Sequence, residues 1–123
     1  ALLDDSPAPE AQDDARSPVA IAAKFIREHY PEPISLADVA QCVHMSQYHF
    51  SRLFKRECGY SPHEYIILVR INRAKHLLKT TDLPVKIIAQ NVGYQNVTTF
   101  TNAFSNRVGL SPSAFRPEDC LKS

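Results

Sequence analysis

Glycine is scarce in this chain, with three residues in 123. No glycine-rich loop is therefore available to cradle a phosphate, and neither a G-x-S-x-G turn nor an H-E-x-x-H pair is present. Paired carboxylates do not fall where a cleft would use them, so catalysis is not expected of this segment. No run of eighteen apolar residues exists to span a bilayer, and the first residues lack the basic, apolar, small-residue order of a secretion signal. Cysteine is limited to Cys42, Cys58 and Cys120, an odd number without metal-type spacing. A disulfide framework is excluded as the organising device, and a reducing cytoplasm is the expected setting. Cys42 and His44 are two apart and cannot share a helix face, so His44 and His49 read as turn and surface residues, with no metal and no cofactor expected.

The formal charge of +1 hides an asymmetry. Residues 1–17 carry Asp4, Asp5, Glu10, Asp13 and Asp14 against Arg16 alone, whereas residues 18–117 carry 12 Lys and Arg against 6 Asp and Glu. Residues 1–17 are thus an acidic Asp/Pro/Ala segment with the composition of a disordered linker, residues 18–117 a basic folded domain, and 118–123 a short tail. A basic domain attracts polyanions through long-range, salt-screened forces. The chain opens on Ala rather than Met, which predicts a processed terminus or a piece of a longer protein.

What the chain does contain is a repeat. The segment from Ile34 to Tyr65 aligns with that from Leu83 to Phe115: Ala40-Gln41 with Ala89-Gln90, Val43 with Val92, Phe50 and Phe54 with Phe100 and Phe104, and Gly59-x-Ser61-Pro62 with Gly109-x-Ser111-Pro112. The offset is 49 before the inner turn and 50 after it, so the second copy has one extra residue between its helices. A duplicated short-helix, turn, longer-helix unit is the pattern of a tandem helix-turn-helix protein.

Caps and periodicity set the elements. Ser17-Pro18 opens a helix to about Tyr30, closed by Pro31-Glu32-Pro33. Ser35-x-x-Asp38 is a capping box for a short helix to about Val43, and Ser46 caps a helix carrying Phe50, Leu53 and Phe54 inward to Cys58-Gly59. Ser61-Pro62-x-Glu64 opens a long helix to about Lys79, whose first turns, Tyr65 to Val69, are apolar on every side, as a buried spine requires. In the second copy Pro84 replaces the Ser35 cap, so Asp82 is expected to cap one turn earlier. That helix runs to Val92, Gly93 takes a positive φ, Gln95 or Asn96 starts the helix carrying Phe100, Ala103 and Phe104, and Ser111-Pro112 starts a last short helix packing Phe115. The expectation is an all-α fold of about seven helices: a homeodomain-like pair of helix-turn-helix subdomains (about 18–61 and 81–117) joined by a long linker helix (about 62–80).

These residues resemble the DNA-binding domain of the AraC/XylS family of bacterial transcription regulators, over about residues 18–117. The resemblance is carried by the duplicated G-x-S-P elements, by Arg70-x-x-x-Ala74-x-x-Leu77-Leu78 in the linker helix, and by Ile88-Ala89-x-x-Val92-Gly93-Tyr94 ahead of Phe100-x-x-x-Phe104. It implies two subdomains that each place a second helix in a major groove of double-stranded DNA. It further implies a separate sensing or dimerisation domain N-terminal to this one, activation through RNA polymerase, and a bacterial cytoplasmic, nucleoid-associated location. A linker helix of about 27 Å compares with the roughly 34 Å between successive major-groove faces, so one chain could read an asymmetric, somewhat bent site.

With the phenylalanines inward, the helix over about 46–58 offers Gln47, Tyr48, Ser51 and Arg52 outward, and the resemblance implies that Tyr48, Ser51 and Arg52 look toward bases. Arg52 is the prime reader, because a guanidinium bonds a guanine edge bidentately. The helix over about 96–108 offers Val97, Thr98, Thr101 and Asn102; Asn102 matches Arg52, and asparagine prefers adenine, so a half-site richer in A and T with weaker affinity is expected. Lys55, Arg56, Arg73, Lys75, Lys79, Lys86 and Arg107 are phosphate candidates, which position without reading sequence. The alternative is a helix-turn-helix module that serves protein–protein interaction, favoured only by the weak charge of the second reading helix. A stacked helical solenoid would need more than two copies.

Overall fold

The computed structural model describes residues 17–117; the acidic linker before Ser17, the tail 118–123 and Cys120 lie outside the described residues. Among the described residues there are seven helices and no strand: α1 (Pro18–His29), α2 (Leu36–Cys42), α3 (Gln47–Cys58), α4 (Pro62–Thr80), α5 (Val85–Asn91), α6 (Val97–Val108) and α7 (Pro112–Phe115). They fall into two compact units. Of the described residues, the first holds 17–29 together with Ile34–Tyr65, and the second holds Tyr30–Pro33 together with 66–117. Helix α4 is thus shared, its first turn belonging to one unit and the rest to the other.

In the first unit α1, α2 and α3 pack on one another through Ala22, Ile26, Val39, Ala40, Phe50 and Phe54, all buried. The phenylalanines sit one turn apart on α3, with ring centroids 5.5 Å apart, and Phe54 meets Tyr65 edge-on at 5.5 Å. The second unit repeats this arrangement: Phe100 and Phe104 are 5.8 Å apart, and Phe104 meets Phe115 edge-on at 5.4 Å. Around them lie Ile71, Ala74, Leu78, Ile88, Ala89 and Val92. Edge-to-face geometry suits the ring quadrupoles, so each aromatic trio adds to the apolar area it buries. Every residue of α4 from Glu64 to Ile71 is at least partly buried, as its all-round apolar pattern predicts.

The caps decide where each helix begins. Ser35 accepts from the Asp38 backbone N–H at 3.2 Å and the Asp38 carboxylate accepts from the Ser35 N–H at 3.0 Å, a closed capping box. Ser61 and Glu64 do the same at 3.1 and 2.9 Å, and Ser46 and Ser111 each accept from the N–H three residues on. One expectation fails: Asp82 does not cap α5. The helix starts behind Pro84, whose φ of −60° and ψ of 149° suit the entry, with no side-chain hydrogen bond. Asp82 lies too far upstream of Val85 for its carboxylate to serve the first free N–H groups, and the Pro84 carbonyl accepts from both Ile87 and Ile88 at 3.0 Å.

The inner turn of each unit is a left-handed helix stop of one kind. After α2, His44 N–H donates to Gln41 O at 3.0 Å and Met45 N–H to Ala40 O at 3.1 Å; after α5, Gly93 donates to Gln90 O at 3.2 Å and Tyr94 to Ala89 O at 2.9 Å. This is the Schellman pattern, which needs positive φ at its hinge residue: 58° at His44 and 108° at Gly93. The extra residue of the second copy falls just beyond, where Gln95 separates Tyr94 from the cap Asn96.

Candidate nucleic-acid interface

Helix α3 is amphipathic by construction. Phe50 and Phe54 are 0% exposed while Tyr48 on the other face is 65% exposed, so the phenylalanines are core and the Tyr48 ring is open to solvent. Gln47, Arg52, Lys55 and Arg56 are exposed and Ser51 is half-buried. Ser51, Arg52, Lys55 and Arg56 come together with Ser61 around an open depression of about 440 Å³. Two base-reading candidates, Ser51 and Arg52, and two phosphate candidates, Lys55 and Arg56, thus share one concavity, and three of the four are cationic. Lys55 also lies 3.9 Å from Glu64, an exposed contact too weak to hold it against a phosphate.

Tyr48 and Arg52, four apart on α3, are joined. The Arg52 Nη1 donates to the Tyr48 hydroxyl oxygen at 2.6 Å, and the guanidinium carbon stands 5.4 Å from the Tyr48 ring centroid. Helical spacing places the two side chains on one face, but the hydroxyl contact is not legible in the sequence.

Helix α6 presents a different surface. Val97 is 38% exposed, Thr98 and Asn102 are exposed and Thr101 is half-buried. Asn96 caps it, its side-chain oxygen accepting from Thr98 N–H at 2.8 Å and Thr99 N–H at 3.1 Å. The first cation on α6 is Arg107, exposed in the last turn. Of the remaining phosphate candidates, Arg73 and Lys86 are exposed, whereas Lys75 is half-buried with its ammonium 5.9 Å from the Phe115 ring centroid. Lys79 is exposed and stands 5.4 Å from the same ring. These two lysines therefore cover core aromatic surface with their stems as well as carrying charge.

One further cationic contact lies outside α3 and α6. Arg70 donates from Nε to Tyr30 O at 2.8 Å and from Nη2 to Glu32 O at 2.9 Å, satisfying carbonyls that follow the end of α1. Its guanidinium stands 5.4 Å from the ring centroid of Tyr94, whose buried hydroxyl makes no hydrogen bond; the two meet as charge and ring face. Burial pushes the Tyr94 phenol up and the neighbouring Arg70 charge opposes that shift, so Tyr94 stays neutral. Burial likewise pushes the Arg70 guanidinium down from its ordinary value, with Tyr94 opposing. In the sequence Arg70 and Tyr94 belong to the patterns that carry the family resemblance, and no local spacing signals the contact between them. At the end of α3, burial raises the Cys58 thiol, with Arg27 opposing, which keeps it protonated and poorly nucleophilic. Among the described residues, no three His, Cys, Asp or Glu side chains gather as a metal site, and no helix is long and apolar enough to cross a membrane.

The likeness to known proteins follows the same span. A family model described as a helix-turn-helix domain matches residues 39–118. An HTH-type transcriptional regulator of Bacillus subtilis, YfiF, is 43% identical over 91 residues, covering 74% of this chain and 29% of its own length. The lactose operon transcription activator of Staphylococcus xylosus is 34% identical over 95 residues, 77% of this chain and 34% of its own. The crystal structure of the DNA-binding domain of AdpA, a global transcriptional factor, in complex with a target DNA superposes with a TM-score of 0.77 at 29% identity, over 80% of this chain and 89% of that one. The chain spans about a third of the length of the curated relatives it matches. The duplicated caps, turns and aromatic trios, with this breadth of likeness, establish that the chain belongs to the AraC/XylS-type helix-turn-helix family.

Proposed function

We propose that this chain is the DNA-binding output domain of a transcription regulator, which binds double-stranded DNA and catalyses nothing. Helices α3 and α6 enter successive major-groove segments. The observation that carries the reading is the exposed face of α3, where Arg52, Lys55 and Arg56 line one cationic depression and Tyr48 is hydrogen-bonded to Arg52. Arg52 reads guanine; Gln47, the Tyr48 ring and Ser51 complete the first contact, and Lys55 and Arg56 grip phosphate. Val97, Thr98, Thr101 and Asn102 read the second segment, which is richer in A and T and contributes less affinity. Arg73, Lys75, Lys79, Lys86 and Arg107 supply further phosphate contacts. The DNA-bound AdpA domain and the Staphylococcus activator support this assignment. The matched segment is about a third of the length of such relatives, so the chain is read as the output domain of a larger cytoplasmic regulator, one that carries its own sensing or dimerisation domain and activates through RNA polymerase.

The test is selection of bound duplexes from a genomic fragment pool at two salt concentrations. Enrichment of one asymmetric motif with two short blocks about one helical turn apart is the expected result. Arg52→Ala should then erase preference at one guanine, at a cost of about 1–3 kcal/mol on the selected site. Binding without enrichment, lost steeply with salt, would leave phosphate contacts alone. No binding at low salt would overturn the DNA reading in favour of a protein-docking module.

A further inference from the structure

We infer that the Tyr48 hydroxyl is the positioning group for Arg52, holding the guanidinium in a reading posture before DNA arrives, and that this device is confined to the first unit. The inference rests on the reading of α3 as a base-reading helix and deepens it.

An exposed arginine on a helix normally samples many rotamers, and binding must stop that motion. Arg52 is exposed, yet its guanidinium is tied at two points: Nη1 donates to the Tyr48 hydroxyl at 2.6 Å, and its carbon lies 5.4 Å from the Tyr48 ring centroid. The chemistry of the partner matters. A carboxylate in place of the phenol would neutralise the guanidinium and compete with DNA for it. A phenol oxygen is neutral, so the full positive charge remains directed outward. A guanidinium has five N–H groups, and one hydrogen bond to Tyr48 leaves four, of which a bidentate guanine contact needs two.

The helix that carries Tyr48 is fixed, although the Tyr48 ring itself is exposed. The Tyr48 ring lies 5.7 Å from that of His49, and α3 beneath it is fixed by the Ser46 cap and by the buried Phe50 and Phe54. The contact between Tyr48 and Arg52 is therefore made on a helix whose backbone is anchored in the core of the first unit. In the second unit the matching residues are Thr98 and Asn102. A threonine has no ring to lie under a partner and a hydroxyl too short to reach one turn along the helix, so Asn102 has no equivalent support. The two reading helices differ in preorganisation as well as in the base they favour.

Removing the oxygen and keeping the ring isolates the effect. The probes are the duplexes that the 123-residue chain selects from a randomised pool, together with versions carrying each of the other three base pairs at every position of the motif and one scrambled duplex. Four proteins are titrated at one salt concentration: wild type, Tyr48→Phe, Arg52→Ala and the double variant, after circular dichroism shows equal helicity. Tyr48→Phe should weaken the selected duplex about threefold to tenfold, the range expected for restoring freedom to one long side chain. It should flatten preference at the base pair that Arg52→Ala flattens, leave the scrambled duplex unaffected, and cost nothing further once Arg52 is gone. An equal loss with and without Arg52 would mean that the hydroxyl meets DNA itself, and would overturn the inference. So would flattening at a different base pair, or no loss. If Arg52→Ala leaves every preference unchanged, the base-reading role of α3 fails first, and that result is separate from anything Tyr48→Phe does.

Discussion

Gly93 shows how much can rest on one missing side chain. Its φ of 108° lies where L-residues are strained, and a Cβ there would stand 2.7 Å from Tyr30 O and 2.9 Å from Arg70 Nε. The first obstacle is backbone and the second is pinned by its own hydrogen bonds, so neither yields cheaply. Gly93→Ala is expected to cost about 2–3 kcal/mol, read as a fall in the urea midpoint, through positive-φ strain and displacement of the Arg70 clamp. His44 occupies the matching hinge of the first unit at φ 58° and is exposed. There the sign reverses. Relief of left-handed strain outweighs the added flexibility of glycine in the unfolded chain, so His44→Gly should stabilise by about 0.5–1 kcal/mol in the same melt.

At the scale of the element, caps carry the boundaries of helices too short to hold themselves. Helices α2 and α5 have seven residues each, fewer than an isolated helix needs in water. Helix α2 begins at a closed capping box, whereas α5 begins at Pro84 without a side-chain bond and depends on its buried Ile88 and Ala89. Helix α6 depends on Asn96, whose one oxygen serves two backbone donors. Asn96→Ala should destabilise by about 1 kcal/mol in denaturant melts and raise amide exchange over Val97 to Thr99 more than elsewhere. Arg116 shows the same economy at the other end of a helix: its guanidinium donates to Leu78 O and Thr81 O, each at 3.3 Å, closing α4 where the backbone runs out of partners.

For the molecule as a whole, the consequence of the charge distribution is a salt dependence. The described residues from 18 to 117 hold twice as many Lys and Arg as Asp and Glu, and three of those cations surround the depression beside α3. Binding to any duplex should therefore weaken with salt along a straight line in logarithmic coordinates. Lys55→Ala and Arg56→Ala should each reduce that slope by about 1 while leaving base preference in place, in contrast to Arg52→Ala. Titration of the selected and scrambled duplexes over a salt series checks this; a base-reading role for Lys55 would appear as lost preference at unchanged slope.

The helices, their order and their duplication are encoded locally, because caps, glycines and 3.6-residue periodicity act within a few residues of one another. Phe50, Phe54, Phe100 and Phe104 are legible as core for the same reason, and all four are fully buried. The outward set on α3 follows once the inward set is known. Distances across the chain were left to the tertiary structure: the Arg70 clamp spans 40 residues to Tyr30, and the Arg27 hydrogen bond to the Tyr65 hydroxyl, at 3.2 Å, spans 38. Such contacts depend on which loop a packed helix brings within reach, and no local spacing encodes that. The misplaced cap at Asp82 has a related cause, since a helix start without a side-chain bond is set by what its first turn buries. Even the pairing of Tyr48 with Arg52, only four residues apart, is decided by the folded structure. Spacing puts two side chains on one face, but rotamers and burial decide whether they touch.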